Sequence, residues 1–123
     1  MNGAMSLLWV ALGGAAGSVA RALVGLAIAS RFPWATLAVN VAGSLLIGFL
    51  MARLGTAEPA ASARLQNLLV TGFCGGFTTF STFSWQTLDH ALKGHWGVAA
   101  ANVLLSVTLC LAAVWLGFRF GRV

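Results

Sequence analysis

Charge is what this sequence has least of. Only 7% of its 123 residues are charged, against about a quarter in an ordinary soluble domain. Its acidic side chains number just two, Glu58 and Asp89. A chain so poor in charge cannot cover a soluble surface, and with 59% hydrophobic residues and a mean hydropathy of +0.92 its expected solvent is the bilayer. Proton-coupled transport generally needs a carboxylate or similar titratable group at membrane depth, and no acidic residue falls in the middle of an apolar segment here. Cysteine is equally scarce. Cys74 and Cys110 lie in different segments with no paired-ligand spacing, which reads as buried apolar thiols. His90 and His95 flank a loop without a carboxylate or cysteine cluster between them, so they read as interfacial residues rather than metal ligands. No nucleophile with an activating base assembles anywhere, and enzymatic activity is not expected.

What is present is apolar length. Four segments, about 4–28, 34–54, 65–92 and 96–118, each approach or exceed the roughly 20 residues that cross a hydrocarbon core. The breaks between them, "SRFP", "GTAEPAASAR" and "KGHW", hold the two prolines and much of the charge. A cleaved signal peptide does not account for this pattern, because apolar segments recur to the C-terminus and the first lacks a small-residue cleavage pattern. Residues 1–123 are therefore expected to form a single all-α transmembrane domain with both termini on one side.

Orientation follows the Lys/Arg bias of the loops. The termini side would carry Arg53, Arg64, Arg119 and Arg122, and the other side Arg31 and Lys93, with Arg21 inside the first span. So small a bias gives a modest preference for termini inside, and leaves open a chain that inserts both ways and pairs with an inverted copy of itself. The net charge of +5 is scattered at helix ends, where it meets lipid headgroups, and forms no nucleic-acid footprint.

Polar residues recur at helical spacing within the apolar segments. Thr36, Asn40 and Ser44 stack on one face of the second span, and Asn102, Ser106 and Cys110 on one face of the fourth. An asparagine in lipid requires a partner helix or a wet cavity, because its own backbone cannot satisfy its amide. The stripes fit helix–helix glue or a polar path; Gly13–Gly17 and Gly72–Gly76 supply the small-residue spacing that glue needs. Arg21 lies about seven residues, or roughly 10 Å, from the end of its span. It either snorkels or holds a positive charge at a vestibule mouth, raising local anion concentration.

The third span contains "GFCGGFTTFSTFS", residues 72–84. Its glycines weaken a helix by about 1 kcal/mol each relative to alanine, so this span is expected to break near its centre, where Gly72, Gly75 and Gly76 precede a hydroxyl-rich turn. A broken helix at mid-membrane is tolerated where it is buried or faces water, and its freed backbone can hold an ion. Phe77, Phe80 and Phe83 follow at intervals of three. Aromatic rings carry a positive edge that can receive an anion without a formal charge.

"GGAAGSVAR", "TLAVNVAGSLLIG" and "GFCGGFTTFSTFS", in this order and spacing, resemble the Fluc (CrcB-type) family of small fluoride channels. The resemblance covers nearly the whole chain. It implies four-helix subunits assembled as antiparallel, dual-topology homodimers in the bacterial inner membrane, with two fluoride pores and a central structural sodium ion, exporting fluoride passively from the cytoplasm. By the same resemblance Asn40 donates to the ion, Phe80 and Phe83 turn ring edges toward it, and Ser81, Thr82 and Ser106 line the pore. Arg21 stands at the vestibule, and the backbone carbonyls of Gly75 and Thr78 hold sodium. The chain departs from the family pattern at Asn102, where a tyrosine is common, and at Cys110, where a serine would fit. Two other classes share parts of the pattern. A small multidrug-type transporter would need a carboxylate in its first helix, and a non-transporting assembly subunit would use every stripe as glue.

Overall fold

The computed structural model describes residues 1–123 and is helical almost throughout. Helix α1 spans Gly3–Ala27 and opens on Asn2, whose Oδ1 accepts the Met5 N–H at 2.9 Å, the standard way to satisfy an orphan amide at a helix start. Helix α2, Trp34–Leu54, begins directly after Pro33, as the punctuation in the sequence predicts. Helix α6, Trp96–Gly121, closes the chain. All three are long and apolar enough to cross a membrane, which makes this a multi-pass membrane protein.

The segment between α2 and α6 is assembled from pieces. Glu58 caps α3 (Pro59–Leu65), its two carboxylate oxygens accepting from the N–H groups of Ala60 and Ala61 at 3.1 and 3.0 Å. These bonds, with the nearby Arg64 guanidinium, hold the Glu58 carboxyl below its ordinary pKa. The helix thus begins at Pro59 rather than near residue 65, inside what reads as a loop. Gln66–Cys74 is a π-helix, wider than an α-helix and often found at functional positions. Short α4 (Gly75–Phe77) follows, two extended residues interrupt the helix, and α5 runs over Phe80–Leu92. The turn into α6 needs Gly94, which has φ +79° and so occupies the left-handed region open to glycine.

The break falls where the sequence leads one to expect it, near the centre of the third span and directly after the glycines. The backbone stays helical through Gly72, Gly75 and Gly76 and becomes extended at Thr78 (φ −87°, ψ 156°) and Thr79 (φ −150°, ψ 115°). Gly72 and Gly76 serve packing instead. A methyl group on Gly72 would stand 2.9 Å from the Gly13 Cα, and one on Gly76 would press on the Gly14 carbonyl. Gly13 and Gly17 in turn lie against the backbone of residues 68–77. The two small-residue motifs therefore meet each other, joining α1 to the π-helix and α4 with rising numbers alongside rising numbers, a parallel crossing.

A second parallel pair is built in the same way. Gly48 of α2 lies against Val114 and Phe118 of α6, Gly117 against Leu45 and Phe49, and Gly121 against Phe49 and Ala52. Helix α5 packs on α6 and brings the hydroxyl-rich segment against the middle of the second pair. The polar groups end up between the two seams.

Candidate functional site

The break is held by side chains from distant helices. Asn40 of α2 pairs with the Thr79 backbone in both directions: its Nδ2 donates to the Thr79 carbonyl at 3.1 Å, and its Oδ1 accepts the Thr79 N–H at 2.8 Å. One amide side chain thus replaces a missing stretch of helix ladder, satisfying two groups that burial would otherwise penalise. Arg21 of α1, half-buried, donates its Nε to the Gly76 carbonyl at 3.0 Å. Neither bond uses up its side chain, since Asn40 retains a second amide hydrogen and Arg21 its terminal nitrogens.

The threonines complete the geometry. The Thr79 hydroxyl accepts the Thr82 N–H at 3.2 Å and caps α5. The Thr78 hydroxyl donates back to the Cys74 carbonyl at 2.8 Å. These bonds free two backbone acceptors. In an unbroken helix the Thr79 N–H would donate to Gly75 and the Thr82 N–H to Thr78, but both are spent elsewhere. The carbonyls of Gly75 and Thr78 thereby lose their helical partners. Gly75 is exposed, and a methyl group on it would meet nothing within 4 Å.

Two clefts flank the break. The larger, about 660 Å³, is lined by Asn40, Gly75, Thr78, Phe80, Phe83 and Ser106, with Ser44 and Cys110 along its length. Six of the nine residues expected at the site therefore meet in one space. The smaller, about 330 Å³, brings together Arg21, Thr82, Thr36 and Gln86. Thr79 lines both clefts and forms the partition between them. Ser81 lines neither; it is exposed, its hydroxyl 3.4 Å from that of Thr79.

Ring geometry at the larger cleft is asymmetric. Phe80 and Phe83 have centroids 5.4 Å apart and planes tilted by 48°. Phe83 is 8% exposed, whereas Phe80 is 78% exposed on the single chain. Electrostatically the clefts carry no carboxylate: Glu58 caps α3, and Asp89 pairs with Lys93 at 2.6 Å. The only formal charge facing either space is the Arg21 guanidinium.

Several participants are not evident from the sequence pattern alone. Thr79 is the hub, yet its role depends on a residue 39 positions away. Gln86 lies one turn beyond Thr82, a spacing that points to a shared face, and its Oε1 is buried without a partner. Asn102 keeps to the face of Ser106 but is engaged between helices. Ser106 and Cys110 do line the larger cleft, but Asn102 does not; it is 1% exposed and donates to the Thr87 hydroxyl at 2.9 Å.

An interrupted helix bracketed by an amide and a guanidinium, beside a largely apolar, acid-free cleft set with a few hydrogen-bond donors, is an arrangement that can hold an anion within a multi-pass membrane protein. The chain belongs to the CrcB-like family: the family model described as "CrcB-like protein, Camphor Resistance (CrcB)" matches residues 8–118. Relatives named "Fluoride-specific ion channel FluC" cover it nearly end to end. One from Opitutus terrae is 53% identical, covering 92% of this chain and 90% of its own length. One from Solibacter usitatus is 47% identical over 96% and 99%, and one from Magnetococcus marinus 44% identical over 96% and 98%.

Proposed function

We propose that this protein is a fluoride-selective channel that lets fluoride leave the cytoplasm passively across the bacterial inner membrane. The observation that carries this reading is the bracketed break: Asn40, Phe80, Phe83 and Ser106 converge on one cleft with no carboxylate in it. Fluoride holds water strongly, so each water lost must be replaced. Amide and hydroxyl hydrogens and the positive edges of benzene rings do this without a counter-charge that would trap the ion. Asn40 is the principal donor, Phe80 and Phe83 present ring edges, Ser106 extends the polar lining, Thr82 lines the smaller cleft, and Ser81, which lines neither cleft of the single chain, would join the lining in the assembled dimer. Arg21 raises the anion concentration at the smaller cleft. The names of the relatives support the choice of fluoride.

The working unit is an antiparallel homodimer of four-span subunits with two pores. Two features of the single chain support a covering partner: Phe80 stands largely bare beside the larger cleft, and Gly75 faces open space. A structural sodium ion fits the freed Gly75 and Thr78 carbonyls. Carbonyl oxygen is a hard donor suited to hard cations, and two per subunit would give four at a two-fold centre. When bound, the ion would neutralise converging carbonyl dipoles between the subunits.

The test is efflux of fluoride from liposomes carrying the purified protein, read with a fluoride electrode, with chloride run alongside. Fluoride passes and chloride does not. Equal passage of both, or passage of neither, refutes the proposal; flux that follows an imposed pH gradient points to a coupled transporter instead.

A further inference from the structure

The most deeply buried polar side chain in the protein, Asn102 at 1% exposure, belongs to a hydrogen-bonded chain that crosses from α6 to α5. Ser106 Oγ donates to Asn102 Oδ1 at 3.4 Å, Asn102 Nδ2 donates to Thr87 Oγ1 at 2.9 Å, and Thr87 Oγ1 donates to the Phe83 carbonyl at 2.8 Å. The first and last members, Ser106 and Phe83, line the larger cleft from different helices; the two middle members do not line it. A threonine bonding the carbonyl four residues back is common in helices and by itself means little. Here the same hydroxyl also accepts from Asn102, so its rotamer is fixed from both sides.

We propose that Asn102 and Thr87 are positioning residues that set the gap between the Phe83 ring and the Ser106 hydroxyl across the ion pathway. The geometry assigns them this task by direction. The 2.9 Å bond crosses from α6 to the Thr87 hydroxyl, and the 2.8 Å bond fixes that hydroxyl on the Phe83 carbonyl within α5, so α5 cannot slide or turn relative to α6 at that level without stretching the crossing bond. The long 3.4 Å bond at the other end is the weak one. The Ser106 hydrogen can swing toward an anion while the link that holds Phe83 stays intact. Ring position is thus rigid and hydroxyl direction adjustable, which suits a small ion that must be gripped and released.

This proposal rests on the channel reading, and its test separates the two. A fluorine-labelled phenylalanine is placed at position 83, or at Phe73 as a control, and followed by 19F NMR in the full-length protein alongside fluoride and chloride efflux. Thr87→Val keeps the shape and removes both bonds. It shifts or broadens the resonance at 83 but not at 73, lowers fluoride efflux about tenfold, the scale of one lost hydrogen bond, and narrows the preference over chloride. Thr87→Ser restores all three. Asn102→Leu behaves as Thr87→Val, and the double variant is no worse than either single one. An unchanged resonance at 83 in Thr87→Val overturns the proposal, as does a moved resonance with wild-type efflux and selectivity. If the wild type passes no fluoride, the channel reading falls, while the resonances still decide whether the pair holds the ring.

Discussion

Replacing Asn40 by aspartate exchanges one amide nitrogen for oxygen and tests two roles together. The introduced carboxylate can still accept the Thr79 N–H, now 2.8 Å from Oδ1, because that bond needs only an acceptor. The other bond inverts. Where Nδ2 donates to the Thr79 carbonyl at 3.1 Å, a second carboxylate oxygen would face that carbonyl, acceptor against acceptor. Leaving one part-buried carbonyl unpaired costs about 1–3 kcal/mol, a shift of about 5- to 150-fold in the folded-to-unfolded ratio. The Arg21–Gly76 bond and the Thr79 cap of α5 do not depend on Asn40, so the variant folds. Within the cleft it exchanges an amide donor for a fixed negative charge at the place where, on the proposed channel function, the anion passes. The expected result is lower resistance to unfolding in detergent together with loss of fluoride efflux from liposomes. Wild-type efflux with unaltered stability would refute both the bracketing and the donor role.

Other perturbations probe the remaining supports. Arg21→Leu strands the Gly76 carbonyl, costing about 1–3 kcal/mol, and removes the one charge facing the smaller cleft; detergent unfolding and efflux should both fall. Gly117→Val drives methyl groups into the Leu45 carbonyl of α2, an overpacking cost of about 1–3 kcal/mol or more, seen as a lower thermal midpoint. Glu58 has its pKa lowered mainly by the Ala61 and Ala60 amides, so its stabilisation of α3 is complete above the ordinary glutamate pKa and is lost as pH falls through the lowered folded value. The protection of the Ala60 and Ala61 amides against exchange, relative to an unstructured chain at the same pH, should fall in that acidic window, and in Glu58→Ala at every pH. Exchanging sodium for a large organic cation throughout purification should reduce the dimer fraction on a sizing column; complete indifference removes sodium from the account.

Apolar run length made the long helices legible, and the bounds of α2 coincide with expectation because Pro33 and Gly55 punctuate it on both sides. The start of α3 was hidden, since a short Ala-rich stretch after Glu58–Pro59 looks like loop until the carboxylate is seen capping it. The interruption of the third segment was legible in kind and in place, near the centre of the span and just after its glycines. What stayed hidden is the means: Gly72 and Gly76 are committed to close contact with α1, and the chain opens at Thr78 and Thr79, where Asn40 and Arg21 hold the backbone. Such partners lie tens of residues away and leave no local trace. The same holds for Asn102. Its spacing with Ser106 places both on one face, but the Thr87 hydroxyl that claims its amide is visible only once α5 and α6 are packed.

The two glycine seams have a consequence for biogenesis. Each joins a helix to one synthesised much later, α1 to residues 68–77 and α2 to α6, so the first two helices enter the bilayer before either has its mate. Until then their notched faces are filled by lipid tails. A ribosome-released fragment ending before Trp96 would leave α2 without its mate, and quality-control proteases should meet it as an orphan rather than as a smaller version of the finished molecule.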